Sequence, residues 1–314
     1  MRFQKPLVIV APTDARRKKL VDLIDKHLET DTMSSSEAEH LAGSLQFLFT
    51  STFGAVGASP LQSIYARVKR PIKKLNPGVR EALRALKTLV SQAPPRCLNI
   101  GTAKEQATVV YGDAFFEMQG RTVRNAEKHA WPNYSVPTKG GWGATVVADD
   151  GCWVMAGTIT QDDIALFGAQ KKTYIFFLEA LAQCVTLWVL GAKLGRVYWS
   201  FVDNTAAEFA LKKGYSGDKL TNSCIALYWL AAMEVDALPW FERVPSAAQL
   251  ADCPSRGGQA VASRLGTRAV VLRATPMIEF VSAIAKAERS PSRDDARKLL
   301  EIASREWERA LRSS

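Results

Sequence analysis

From Ala107 to Gly258 the apolar pattern changes element type in a fixed order, and that order limits the folds open to the chain. Thr108-Val109-Val110-Tyr111 is β-rich and runs into Gly112-Asp113, as a strand does where it meets turn residues. Trp142–Val147 and Cys152–Ile159 read as two more strands, joined through the hairpin sequence Asp149-Asp150-Gly151. Lys172–Leu190 reads as a long apolar helix, Arg196–Val202 as a buried strand, and Thr205–Lys213 and Lys219–Met233 as helices. Leu238–Val244 is the fifth strand. An antiparallel hairpin is thus combined with strands reached through crossover helices. The predicted fold is α/β, a mixed five-stranded sheet flanked by helices.

The flanks read differently. Residues 1–106 predict a mainly helical, basic segment. Asp14 opens a helix to about Leu28, Ser34 with Glu37 is a capping box, and Asn76-Pro77 caps a helix to about Val90. Arg67, Lys69, Arg70, Lys73 and Lys74 lie close together with no acid between them, a candidate phosphate-gripping surface. Residues 259–314 predict a helical basic tail. Ser292 with Asp295 is another capping box, and Ala296, Leu299, Leu300, Ala303, Trp307, Ala310 and Leu311 form one stripe.

Charge follows the same division. Residues 1–106 hold 17 basic against 9 acidic side chains, residues 107–258 hold 13 against 15, and residues 259–314 hold 11 against 7. An acidic middle between basic arms suits a metal site that must hold a polyanion. Five cysteines, never as a CxxC pair, argue for free thiols and against a zinc knuckle. Leu7–Ala11 is too short for a signal-peptide core, and Glu179 and Gln183 interrupt the longest apolar run. The expectation is an intracellular protein, cytoplasmic or nuclear, neither secreted nor membrane-bound.

Four acids stand out: Asp113 after the first strand, Glu179 in the long helix, Asp203 after a strand and Asp252 before a helix. Converging carboxylates need a cation, because buried charge without one is costly. Hard divalent ions take oxygen ligands, and a pair of them can clamp both sides of a phosphoryl displacement.

With that element order, the middle of the chain resembles the type 1 ribonuclease H domain of retroelement reverse transcriptases. The resemblance is carried by Val109-Val110-Tyr111-Gly112-Asp113-Ala114, by Glu179 in Phe177-Leu178-Glu179-Ala180-Leu181-Ala182, and by Phe201-Val202-Asp203-Asn204-Thr205-Ala206-Ala207. Ala251-Asp252-Cys253-Pro254-Ser255-Arg256 carries the fourth motif, and the acids are 66, 24 and 49 residues apart. Glu37–Phe47 with Phe53-Gly54 is similar to the thumb and connection segment that follows the polymerase palm, and the palm itself is missing.

The resemblance implies a metal-dependent endonuclease that cuts the RNA strand of RNA/DNA hybrids. Asp113, Glu179, Asp203 and Asp252 would be catalytic and hold two Mg²⁺ ions, with Mn²⁺ able to substitute. The partner beside the hybrid would be the polymerase portion of a reverse transcriptase. Asn204, Thr205, Ser255 and Arg256 are the implied backbone contacts. Two departures stand out. The insert between Asp113 and Trp142 holds Arg121, Arg124 and Lys128, a candidate basic loop for the hybrid's backbone. The loop Ala247-Ala248-Gln249-Leu250 also lacks the histidine that many relatives use in product release. The alternatives are a catalytically inactive relic that binds nucleic acid or a polymerase partner, and an integrase-type enzyme, which the early Glu179 disfavours.

Overall fold

The computed structural model describes residues 7–69, 72–99, 108–118, 121–122, 138–167 and 174–313. A short antiparallel pair, β1 (Leu7–Val10) with β2 (Arg96–Asn99), brackets four helices: α1 (Asp14–Thr30), α2 (Ser35–Phe53), α3 (Ala58–Val68) and α4 (Pro77–Gln92). The caps lie where the sequence puts them. Ser34 and Glu37 close a reciprocal capping box, and Asn76 Oδ1 accepts from Val79 N at 2.9 Å.

The main sheet contains β3 (Thr108–Met118), β4 (Arg121–Thr122), β5 (Thr138–Ala148) and β6 (Gly151–Ile159). After α5 (Gln161–Phe167) and α6 (Tyr174–Leu190) come β7 (Val197–Val202), α7 (Thr205–Lys213), α8 (Lys219–Glu234) and β8 (Leu238–Arg243). The chain ends with α9 (Asp252–Ser255), α10 (Ala260–Arg264), β9 (Ala269–Val271), α11 (Thr275–Lys286) and α12 (Arg293–Ser313). The strand order is β8-β7-β3-β5-β6-β9, with β4 also on β3. β3, β5 and β6 are antiparallel; β7 and β8 run parallel to β3, and β9 parallel to β6. This is an α/β fold with a mixed sheet flanked by helices, consistent with a ribonuclease H-like arrangement.

Two details differ from expectation. The sheet has a sixth strand on its path, because Ala269-Val270-Val271 adds β9 beside β6. Three residues are too few to carry a period, so the tail reads as purely helical in the sequence. The first strand also does not end at Asp113. It continues to Met118, pairing Asp113 with Gly143 and Met118 with Thr138. Gly112 does not break it, because the missing side chain makes room for the Gln183 amide: a Cβ there would lie 2.5 Å from Nε2.

The two faces of the sheet are covered unequally. Gly112 faces α6, and its neighbour Asp113 faces α9 on the opposite side. α6 and α8 form the thick layer, with α11 and α12 packed outside α8. α8 is apolar on nearly every side and is enclosed accordingly, with Leu220, Cys224, Leu227, Ala231 and Met233 all buried. One continuous apolar cluster joins the helical unit, the sheet and the tail, from Leu41 and Leu86 through Leu181 and Ile225 to Leu299. A polar contact helps seat the helical unit: Asn222 Nδ2 donates to Ser59 Oγ at 2.9 Å. The apolar stretch Ile175–Lys193 is long enough to cross a membrane by length and composition, but it is mostly buried, like the core helix of a soluble protein.

Candidate metal centre

The parallel ladder between β3 and β7 stops at the rung Tyr111–Phe201. Just beyond that rung Asp113 continues along β3, Asp203 follows β7, and Glu179 reaches in from α6. Asp113, Glu179 and Asp203 each offer a carboxylate oxygen, and these atoms lie within 4.8 Å of one another. The framework behind them is fixed by amides. Gln183 Nε2 donates to Phe201 O at 2.9 Å, Ser200 Oγ donates to Gln183 Oε1 at 2.7 Å, and Gln249 Nε2 donates to Gly112 O at 3.1 Å.

The electrostatics describe a site short of positive charge. Glu179 is 4% exposed, and its Oε2 is buried with no hydrogen-bond partner. Burial, followed by the charges of Asp113 and Asp203, holds its carboxyl well above the usual range. Burial also pushes Asp113 up to about 7, against the opposing hydrogen bond from Ser255; the charges of Asp203 and Asp252 add to the rise. Three converging carboxyls, two of them held up by burial, fit a cation, which would supply the missing charge and the missing partner for Oε2.

The fourth acid stands apart. Asp252 opens α9, but its side chain is 52% exposed and pairs with Arg256, Nε to Oδ1 3.1 Å. It is outside the close trio, although Asp113 feels its charge. Arg256 also lies over the Phe115 ring, 5.3 Å from its centroid. Ser255, singled out for backbone contact, points inward instead. It is 2% exposed, and its Oγ donates to Asp113 Oδ2 at 2.7 Å.

The other implied contacts divide by burial. Asn204 is buried, and its Oδ1 accepts from Ala206 N and Ala207 N as the N-cap of α7. Thr205 is exposed at the first turn of α7, beside Asp203. Arg67 is buried and donates through Nη2 to Met33 O, which makes it a tie within the helical unit. Lys69, Lys73 and Lys74 are exposed on that unit, and the Lys73 carbonyl accepts from Met33 N at 2.8 Å. Arg121 lies in β4. Arg70, Arg124 and Lys128 lie outside the described residues.

A groove of about 640 Å³ opens from Asp203. Thr205, Phe209, Lys213, Tyr215 and Arg243 are among the residues that line it, and Lys213 Nζ sits over the Phe209 ring at 5.6 Å. The sequence reading missed this groove. Its signal was Phe209 and Lys213 one turn apart on a helix that starts beside a candidate ligand, with Arg243 closing the neighbouring strand.

No protein-family model matches the chain, and no curated protein matches it.

Proposed function

We propose that the chain is a divalent-metal-dependent nuclease of the ribonuclease H type, hydrolysing the RNA strand of RNA/DNA hybrids as part of a retroelement reverse transcriptase. One observation carries this reading: three carboxyls converge at one buried point, and one of their oxygens has no partner. Nucleic acid, rather than a small phosphate ester, is supported by the open groove running away from Asp203. Its two cations suit backbone phosphates, and its aromatic side chains suit sugar and base faces.

Asp113, Glu179 and Asp203 are the residues that would hold the metal, with Asp252 at the open side as the fourth carboxylate. Two Mg²⁺ ions, or Mn²⁺ in their place, would supply Lewis acidity at the phosphoryl oxygens and a nucleophilic water at neutral pH. The protein's own part is positional. Gln183 and Gln249 tie the carbonyls of Gly112 and Phe201, so Asp113 and Asp203 are presented from a fixed frame. Lys213 and Arg243 hold the substrate strand beyond the cluster, and the exposed Thr205 hydroxyl is placed to meet a 2′-hydroxyl, the feature that distinguishes RNA from DNA.

The deciding assay pairs 5′-labelled RNA with DNA and runs RNA/RNA and DNA/DNA duplexes beside it, in Mg²⁺ and in chelator. Metal-dependent cutting of the hybrid's RNA alone, lost in Asp113→Asn, is the expected result. A second reading draws on the Asp252–Arg256 pair, which leaves the fourth acid outside the trio. It is a relic that binds hybrid without cutting, and folded protein that retains hybrid but never cleaves it would favour that reading, or a need for the polymerase portion.

A further inference from the structure

α9 is seated against the sheet more closely than an ordinary side-chain contact allows. A Cβ on Gly143 would lie 2.3 Å from Ser255 N and 2.7 Å from the Pro254 carbonyl carbon. A Cβ on Gly141 would lie 2.4 Å from Ser255 O. Two glycines on one face of β5 therefore form a floor on which the backbone of α9 rests directly. That contact brings Ser255 Oγ to Asp113, while the same oxygen lies 2.9 Å from the carbonyl of Asp252. A hydroxyl has one proton, so two acceptors from two acidic residues share a single donor.

Resting on the metal-dependent reading above, we infer that Ser255 is a positioning residue that couples the fourth acid to the buried trio. The 2.7 Å contact of its hydroxyl with Asp113 Oδ2 fixes that carboxyl and holds α9, with Asp252 on its first turn, against the cluster. Were Asp113 to hold a divalent cation, the Asp252 carbonyl, 2.9 Å from Ser255 Oγ, would still be within reach of the hydroxyl proton. No buried donor is stranded in either state, a condition that ordinarily carries a large penalty. The glycine floor and the hydrogen bond have the same consequence: both hold α9 against the strand that carries Asp113 or its neighbour β5.

The test is Mn²⁺ titration of the full chain by calorimetry and by electron paramagnetic resonance, with melting in chelator as a check on folding. Ser255→Ala is expected to lose about tenfold or more in Mn²⁺ affinity, the usual scale for a group that orients a metal ligand. Ser255→Cys has nearly the same shape but a weak donor, so it should lose affinity in the same direction and keeps the test readable if the alanine variant does not fold. A folded variant of either kind with wild-type affinity overturns the role of Ser255. No Mn²⁺ uptake by the wild type overturns the metal reading as well, and the wild-type arm alone reports it.

Discussion

At the scale of single residues, Asp113 and Glu179 make the metal-free protein sensitive to pH in a direction opposite to ordinary acid denaturation. The folded Asp113 carboxyl is raised from 3.8 to about 7, mainly by burial, so between those values the unfolded chain has released a proton that the folded chain retains. Stability is therefore full below about pH 4 as far as this group is concerned, and it falls as pH rises toward 7, by up to about 1.4 kcal/mol per pH unit. Glu179 is raised as well and acts in the same direction. In chelator, wild-type protein should melt at a lower temperature at pH 7.5 than at pH 5.5, and Asp113→Asn should reduce that difference while leaving the part due to Glu179. Added Mn²⁺ should restore stability at pH 7.5 far more than at pH 5.5, because binding must displace protons. A melting temperature that climbs with pH in chelator would contradict the burial argument. Glu179→Gln should remove the share of this pH dependence that the raised Glu179 carboxyl contributes, so in chelator it gains on wild type as pH rises, yet it should bind no Mn²⁺.

At the scale of elements, the glycines of β5 are the most exacting part of the structure. Gly143→Ala forces a methyl into the backbone of Pro254 and Ser255, so α9 must lift away. A loss of roughly 1–3 kcal/mol is expected from such overpacking, together with weakened Mn²⁺ binding. Gly43, in the middle of α2, has open space where a methyl would stand, with nothing within 4 Å, and Gly43→Ala should instead stabilise by about 0.5–1 kcal/mol through helix propensity. Parallel melts of the two variants separate a glycine required by close approach from one that is merely tolerated. Which elements the sequence revealed follows from similar physics. The capping boxes at Ser34 and Ser292 and the hairpin turn Asp149-Asp150-Gly151 before Cys152–Ile159 are local signals, and the elements formed where those signals stood. Thr160 with Asp163 is an equally local cap, and it opens the overlooked α5. β3 past Asp113 and β9 were not legible, since both depend on pairing partners distant in the chain. The acid trio was legible because each member sits in its own motif. The inward turn of Ser255 and the glycine floor were not, because they exist only where α9 meets β5.

At the scale of the whole molecule, the tail is a structural cover for the central layer. α8 is buried along almost its whole length, and α11 and α12 pack on it while α12 also meets α6. Met277, Ile278, Val281, Ile284 and Leu299 are each buried there, and Arg293 and Arg297 both pair with Glu234 near the end of α8. β9 adds the last strand beside β6. Five large apolar side chains at roughly 2 kcal/mol each amount to about 10 kcal/mol of burial, comparable to the entire stability of a typical domain. The entropy regained by releasing the tail offsets part of this, but the newly exposed faces of α6 and α8 add a penalty on the other side. A chain ending at Gly258, which keeps all four acids and every residue of the sheet except β9, is therefore expected to be insoluble or to melt without cooperativity. By contrast, Arg293→Ala in the full chain should lower stability by only about 1–3 kcal/mol, because it removes a half-buried ion pair and leaves the apolar contact in place. Soluble yield and thermal melting of both proteins check the argument. A shortened chain with a sharp transition near that of the full protein would mean that the sheet and α8 are stable alone, and that the tail is an appendage.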